Sequence, residues 1–268
     1  MENVGFLIEL LNSVDGLLFV FFRVLGFIII LPVLSSINIP TILRMGFSFV
    51  LAFLIFLTGL GGFAAEISMD MRLLSLVAIA ISEFLFGFAM AYMVYAIFAT
   101  LLLAGLFIDD AVGFNIVSVV DPMSQVQVPV AGNLLYLMAM VMLIITGGLN
   151  LLFATFVRSF ELVPIGSAYI ITNPYLWIYL VSVVTDMLLM GLQFAMPLVA
   201  VGLLVNVSLG ILVKSVPQMN MFVIGIPLRL VIGVVMFFLI LPAYLGVYNR
   251  LFEILMDTVI NIIELARV

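Results

Sequence analysis

The sequence of 268 residues contains no cysteine and no histidine, and only 8% of its residues are charged. The lack of cysteine excludes disulfides, thiol chemistry and iron–sulfur ligation by this chain. The lack of histidine removes the commonest metal ligand and the usual general base of enzymes. We therefore expect no metal site and no cofactor. The sequence also lacks a Gly-rich phosphate loop, a Ser nucleophile elbow and a carboxylate cluster of ligand spacing, so we expect no enzyme.

Basic residues are scarce, since 8 Lys and Arg stand against 14 Asp and Glu and give a net charge of −6. Proteins that bind nucleic acid need clustered Lys and Arg, so we expect no nucleic-acid partner. Arg44 and Arg72 flank the same short apolar segment, and the positive-inside rule therefore gives no clean topology. Glu2 and Glu9 precede the first apolar run without a basic stretch, and we expect no signal peptide.

Apolar residues dominate, because 67% of the positions are hydrophobic against about 45–50% in a soluble domain. A helix that crosses a bilayer needs roughly 20 apolar residues, and several runs reach that length. No long polar segment separates them. We therefore predict an all-α membrane protein with one polytopic membrane domain over residues 1–268. The apolar segments are residues 17–34, 47–60, 73–108, 126–160, 175–213 and 221–247, followed by a more polar segment at 251–265.

The lengths of these segments are irregular. Residues 47–60 would form a helix of about 21 Å, against a hydrocarbon core of about 30 Å. Residues 73–108 and 175–213 would form helices of about 54 Å and 58 Å. Either each long run is a helical hairpin, or its helix extends beyond the bilayer, with Pro197 as a possible kink. In the segment 251–265, acidic residues recur on one helical face, which predicts an amphipathic helix.

Pairs of prolines mark four junctions between the apolar segments. Proline lacks a backbone donor and breaks a helix interior. Backbone groups freed in a bilayer must be buried in protein or face water. The pairs therefore indicate either ordinary loop ends or broken helices within a larger assembly. They are Pro32 and Pro40, Pro122 and Pro129, Pro164 and Pro174, and Pro217 and Pro227.

The stretch from residue 213 to 228 resembles the signature of the FliR family, a subunit of the bacterial flagellar protein-export gate that is related to the SctT family of virulence injectisomes. Residues 23–44, the pair Asp121-Pro122 and residues 159–164 are similar to further family positions, so the resemblance covers nearly the whole chain. One departure is Gly147-Gly148, where the family commonly has Gly-His. The signature residues are Pro217, Gln218, Met219, Asn220, Phe222, Gly225 and Pro227.

The resemblance implies a non-enzymatic subunit of a helical hetero-oligomeric channel in the inner membrane, within the flagellar basal body. FliP- and FliQ-like gate subunits and FlhB- and FlhA-like export proteins would be its partners, and unfolded flagellar proteins would be its cargo. Two alternatives stay open. The same kind of gate serves a virulence injectisome, and secondary transporters also use broken helices near a midplane site.

The stretch 105–114 joins two apolar runs and combines glycines, aromatics and paired acids. Glycines let a backbone turn or approach closely, and bulky apolar side chains can close a pore by excluding water. By resemblance, this stretch would supply the plug of the export channel, whereas from the residues alone an ordinary acidic loop is the alternative. The candidate plug residues are Gly105, Phe107, Asp109, Asp110, Gly113 and Phe114.

Small and polar residues recur every four positions in a later run, at Gly202, Asn206, Gly210 and Lys214. Small residues let membrane helices approach closely, and Asn can hydrogen-bond across the contact. This face predicts packing between subunits or packing within the chain.

Two acidic residues, Glu83 and Asp186, lie inside apolar runs. Charged residues within membrane segments usually face protein or water and pair with one another. Arg23 and Arg229 are the basic residues deep in apolar sequence and are the possible partners. We expect a structural ion pair or a subunit contact.

Overall fold

A computed structural model of the chain describes residues 2–35, 39–60, 72–115, 129–167, 173–216 and 221–267, and these ranges are almost entirely helical. The prediction of an all-α membrane protein is confirmed. Within these ranges the helices are α1 (Glu2–Ile30), α2 (Pro32–Ser35), α3 (Thr41–Leu57), α4 (Arg72–Val112), α5 (Val130–Ile145), α6 (Gly148–Leu162), α7 (Pro174–Ser215) and α8 (Met221–Arg267).

Among the described residues, three helices, α4, α7 and α8, are long and apolar enough to cross a membrane by their length and composition. A fourth span results if the broken pair of α5 and α6 counts as one. Helices α4 and α7 have 41 and 42 residues without interruption, so each of these runs is one continuous helix and the hairpin interpretation is wrong. Helix α8 has 47 residues and includes the segment 251–265, which is therefore not a separate element.

Prolines stand both at helix ends and inside helices. Pro40 and Pro129 are the N-cap residues of α3 and α5, and Pro174 is the first residue of α7, where its missing N–H costs nothing. In contrast, Pro197 lies inside α7 and Pro227 inside α8. Pro227 therefore does not end a helix, contrary to the interpretation of the four pairs as loop ends. Pro122 and Pro217 lie outside the described residues.

The chain divides into two compact units. The first comprises Met1–Ala96, Gly147–Val183 and Ile254–Val268. Its core contains a close contact between α1 and α4, where a Cβ on Gly26 would overlap the carbonyl oxygen of Phe84. Phe27 stacks on Phe156 of α6 with 4.1 Å between the ring centroids. Glycine allows the two backbones to approach, and the aromatic rings fill the space beside them.

The second unit comprises Ile97–Thr146 and Val184–Glu253. Two buried tyrosines of α8 hold it together through hydrogen bonds from their hydroxyl groups. Tyr248 donates to the carbonyl oxygen of Leu135 in α5, and Tyr244 donates to that of Phe194 in α7, both at 3.0 Å. Pro197 lies three residues further along α7 and removes the helical donor for the carbonyl of Gln193, the residue before Phe194.

Candidate functional site

Residues 105–114 form the carboxyl end of α4 and the turn that follows, not a linker between two helices. The helix continues through Val112, and Gly113 ends it with a φ of 92° in the left-handed region. The N–H groups of Gly113 and Phe114 both donate to the carbonyl oxygen of Asp109, at 2.8 Å and 3.0 Å. This is the common helix ending in which a glycine lets the chain turn back on the last carbonyls.

Burial divides the six candidate plug residues into two sets. Gly105, Asp109 and Gly113 are buried. In contrast, Phe107 is 38% exposed, Asp110 is exposed and Phe114 is half-buried. The end of α4 therefore has one side fixed inside the second unit and an opposite side that presents aromatic and acidic groups outward. The sequence pattern predicted the six residues together but did not separate these two roles.

The buried side of this segment is held against the start of α5. A Cβ on Gly105 would overlap the Cα and N atoms of Gly132, so the two backbones are in direct contact. Asp109 has no exposed surface, and one of its carboxylate oxygens accepts a hydrogen bond of 2.9 Å from the N–H of Ala131. That N–H belongs to the first turn of α5, whose donors have no partner within the helix. Gly105 is thus a packing residue, and the structure gives no hinge there.

A second contact comes from Arg229 of α8, which binds the last carbonyl groups of α4. Its Nε donates to the carbonyl oxygen of Ala111 at 3.0 Å, and one terminal nitrogen donates to that of Asp110. Its side chain also lies against Gly113, since a Cβ there would be 3.3 Å from Cδ and Nε. Positive charge is favourable at the carboxyl end of a helix. Arg229 therefore binds backbone carbonyls of its own chain, not the acidic side chain that was one of the interpretations of the sequence.

Two further glycines place α7 and α8 against the last turn of α4. A Cβ on Gly202 would lie 3.0 Å from the Cβ of Ala111, and one on Gly233 would overlap the side chain of Val112. Of the four residues predicted as a packing face, Gly202 is buried within the chain, whereas Asn206, Gly210 and Lys214 are exposed. The space around Gly210 is open for at least 4 Å.

The first unit contains one of the ion pairs that the sequence left open, between Arg23 and Glu83. Nε of Arg23 lies 2.5 Å from a carboxylate oxygen of Glu83, and both side chains are fully buried. The guanidinium also donates to the carbonyl oxygen of Val163 at 2.9 Å, and Glu83 accepts from the N–H of Gly166. The guanidinium carbon lies 4.5 Å from the ring centre of Phe160, within the range of a cation–π interaction. This pair therefore ties α1, α4 and the chain after α6 together.

The signature residues lie mostly where the structure gives no description. Pro217, Gln218, Met219 and Asn220 are outside the described residues. Phe222, Gly225 and Pro227 belong to the first two turns of α8, with Gly225 buried and Pro227 exposed. The start of α8 also carries Arg229, so the described part of the signature is two residues from the group that binds the end of α4.

Sequence reasoning missed Gly132 and Gly233, which contact the end of α4. Their glycine identity was the available signal, because a helix interior disfavours glycine unless close packing requires it. It also missed that Arg229 binds main-chain carbonyls, which have no signature in a sequence.

The chain is similar to known proteins over most of its length. The family model described as bacterial export proteins, family 1, matches residues 14–255. The flagellar biosynthetic protein FliR of Bacillus subtilis is 29% identical over 97% of this chain and 99% of its own length. FliR of Escherichia coli is 28% identical over 90% of both chains, and FliR of Aquifex aeolicus is 27% identical over 88% of this chain and 86% of its own.

Proposed function

The chain belongs to family 1 of the bacterial export proteins, and we propose that it is a non-enzymatic FliR subunit of a flagellar protein-export gate in the bacterial inner membrane. The observation that carries this proposal is the match to a FliR protein over 97% of this chain and 99% of the relative. The alternatives of an injectisome gate and a secondary transporter have no comparable support among these relatives.

The proposed partners are FliP- and FliQ-like gate subunits, with FlhB- and FlhA-like proteins beside them and unfolded flagellar proteins as cargo. Large apolar side chains cover much of the surface of the lone chain, among them Ile42 at 80%, Leu57 at 66% and Leu204 at 68% exposure. Surfaces of this kind are typical of protein or membrane contacts. The exposed polar group of Asn206 on α7 favours a protein neighbour at that position, since polar groups in a bilayer need hydrogen-bond partners.

Within the gate, the exposed side of the end of α4 would close the resting channel. A channel wide enough for a polypeptide would dissipate ion gradients unless it is sealed. Apolar constrictions exclude ions by dewetting, and Phe107 and Phe114 are the aromatic groups of this segment that are not fully buried. The buried residues Asp109 and Gly113 would hold these rings in place.

Complementation of a strain that lacks its own FliR tests the assignment. The chain, expressed with its cognate partner genes, should restore motility, and it should co-purify with FliP- and FliQ-like subunits as one detergent-stable particle. A monodisperse monomer that ignores both partners would contradict the proposal. Restored secretion of injectisome effectors, or uptake of a small solute without any export, would favour one of the two alternatives.

Replacement of both aromatic residues, Phe107→Ala with Phe114→Ala, tests the closing role. The assembled gate should leak, which growth inhibition by sodium ions and uptake of a normally excluded dye would report. Phe238→Ala is the matched control, because Phe238 is 61% exposed on α8 of the same unit. An assembled double variant with an unchanged ion barrier would refute the plug but leave the family assignment intact.

A further inference from the structure

The carbonyl groups at the end of α4 accept hydrogen bonds from two different kinds of donor. The last four carbonyls of a helix have no partner within it. The carbonyl oxygen of Asp109 accepts two hydrogen bonds, from the N–H groups of Gly113 and Phe114 in the turn that follows α4. The carbonyl oxygens of Asp110 and Ala111 instead accept hydrogen bonds from the guanidinium of Arg229, which lies 118 residues from Ala111 in the sequence. One side chain of another helix therefore completes the ending of α4.

The position of Arg229 is suited to holding this turn rather than the whole helix. A guanidinium is a rigid planar fork of donors, so it can bind two neighbouring carbonyls at once. Its stem lies against Gly113, the residue with a left-handed backbone that ends the helix. The remainder of α4 is fixed differently, by backbone contacts such as that of Gly105 with Gly132. Loss of the Arg229 contacts would leave the helix packed and the turn held by its own two hydrogen bonds to the carbonyl oxygen of Asp109.

We propose that Arg229 is the latch of the gate, a positioning residue that holds the turn after α4 closed and must release its two carbonyls when the gate opens. This inference rests on the proposed function, in which the exposed side of residues 105–114 closes the channel. Phe114 lies one residue beyond Gly113, within the turn that the latch holds. Each hydrogen bond from a charged donor changes an equilibrium constant by about tenfold or more, so its removal should shift the population of the open turn by at least that factor.

Arg229→Ala in the complete gate tests the latch. The complex should form in normal yield, and its ion leak in the absence of cargo should rise about tenfold or more. Arg229→Lys should leak less than the alanine variant, because an ammonium donates as a point charge and cannot present a planar fork. Arg250→Ala is the matched control, since Arg250 is exposed on the same helix. A purely structural role would lower the yield of complex without this graded leak.

The outcomes separate the latch from the plug. If Arg229→Ala assembles and remains sealed while the Phe107 and Phe114 double variant leaks, the latch is wrong and the plug stands. If both variants assemble and neither leaks, the proposed plug fails and the latch fails with it.

If the Arg229→Ala variant does not assemble, a disulfide cross-link tests the latch instead. The chain has no cysteine of its own, and a Cβ at Gly233 would lie 2.9 Å from the Cβ of Val112, below the roughly 3.5–4.5 Å across a disulfide. Val112→Cys removes a methyl group, and a shift of roughly 1 Å would bring the two Cβ atoms to disulfide distance. The pair Val112→Cys with Gly233→Cys should therefore fix the end of α4 to α8 when it is oxidised. Export should stop on oxidation and resume on reduction. Normal export through the cross-linked gate would show that no release is required and would overturn the proposal.

Discussion

Arg23 and Glu83 face each other with 2.5 Å between Nε and a carboxylate oxygen, and neither side chain has any exposed surface. They lie 60 residues apart in the sequence and join α1 to α4. The removal of one partner from a buried pair leaves an uncompensated charge, whereas the removal of both does not. The loss of either charged group alone should therefore destabilise the first unit strongly. The net contribution of the intact pair to stability is small compared with that cost.

Arg23→Gln and Glu83→Gln should each destabilise the purified complex strongly, by about 3–5 kcal/mol. Arg23→Met combined with Glu83→Met should be much less destabilising than the sum of the two single losses, since no charge stays buried. Thermal unfolding of the detergent-solubilised complex measures these changes, with the exposed Arg250→Gln as the control. Single losses that simply add in the double variant would contradict the coupling.

Gly87→Ala should destabilise the chain because α1 and α4 touch through their backbones at this position. A Cβ there would overlap the carbonyl oxygen of Arg23 and lie 3.0 Å from the N atom of Phe27. Such overpacking costs typically about 1–3 kcal/mol. Gly46→Ala is the matched control in α3, where the space is open, and it should stabilise the helix by roughly 0.5–1 kcal/mol. Equal effects in thermal unfolding would mean that helix propensity, not contact, determines both.

Gly202→Leu and Gly210→Leu should fail at different stages. A side chain at Gly202 would meet Ala111 within the same chain, so its replacement should lower the yield of folded protein. Gly210 has nothing within 4 Å, so its replacement should leave the chain folded and reduce its incorporation into the complex. Native gels and the protease resistance of the isolated chain measure the two stages. Normal complex formation by Gly210→Leu would show that Gly210 does not lie in a subunit contact.

Asp109→Asn should preserve both assembly and closure. One carboxylate oxygen of Asp109 accepts the N–H of Ala131, and the other is buried without a hydrogen-bond partner. An amide keeps the acceptor and removes the charge, which is costly to bury. Asp109→Ala should lose the acceptor, leave the first turn of α5 unsatisfied and cost about 1–3 kcal/mol in complex stability. A gate that is as defective with asparagine as with alanine would show that the charge itself is needed.

Composition and apolar segments were enough to predict the all-α membrane fold, because a bilayer leaves few ways to satisfy the backbone. An ion pair between apolar segments was predictable, since charged residues within membrane segments usually pair, but the sequence did not distinguish Glu83 from Asp186 as the partner of Arg23. The continuity of α8 through Pro227 and Pro242 was not, because a proline inside a membrane helix is tolerated when its neighbours satisfy the freed groups. The glycine contacts around α4 also depend on the rotation of each helix about its axis, which a single sequence does not specify.

The environment of Arg23 also sets an order of events during synthesis. Its carboxylate partner is made 60 residues later, and the carbonyl of Val163 follows 140 residues later. At about 5–20 residues per second, the ribosome needs roughly 7–28 seconds to produce the last of these groups. During that interval the first helix carries an unpaired guanidinium, which costs roughly 2.5–3.5 kcal/mol at the centre of a bilayer on insertion scales. Stable membrane integration of α1 should therefore wait until the chain after α6 has emerged, which nascent chains arrested before and after residue 166 would reveal by their different resistance to alkaline extraction.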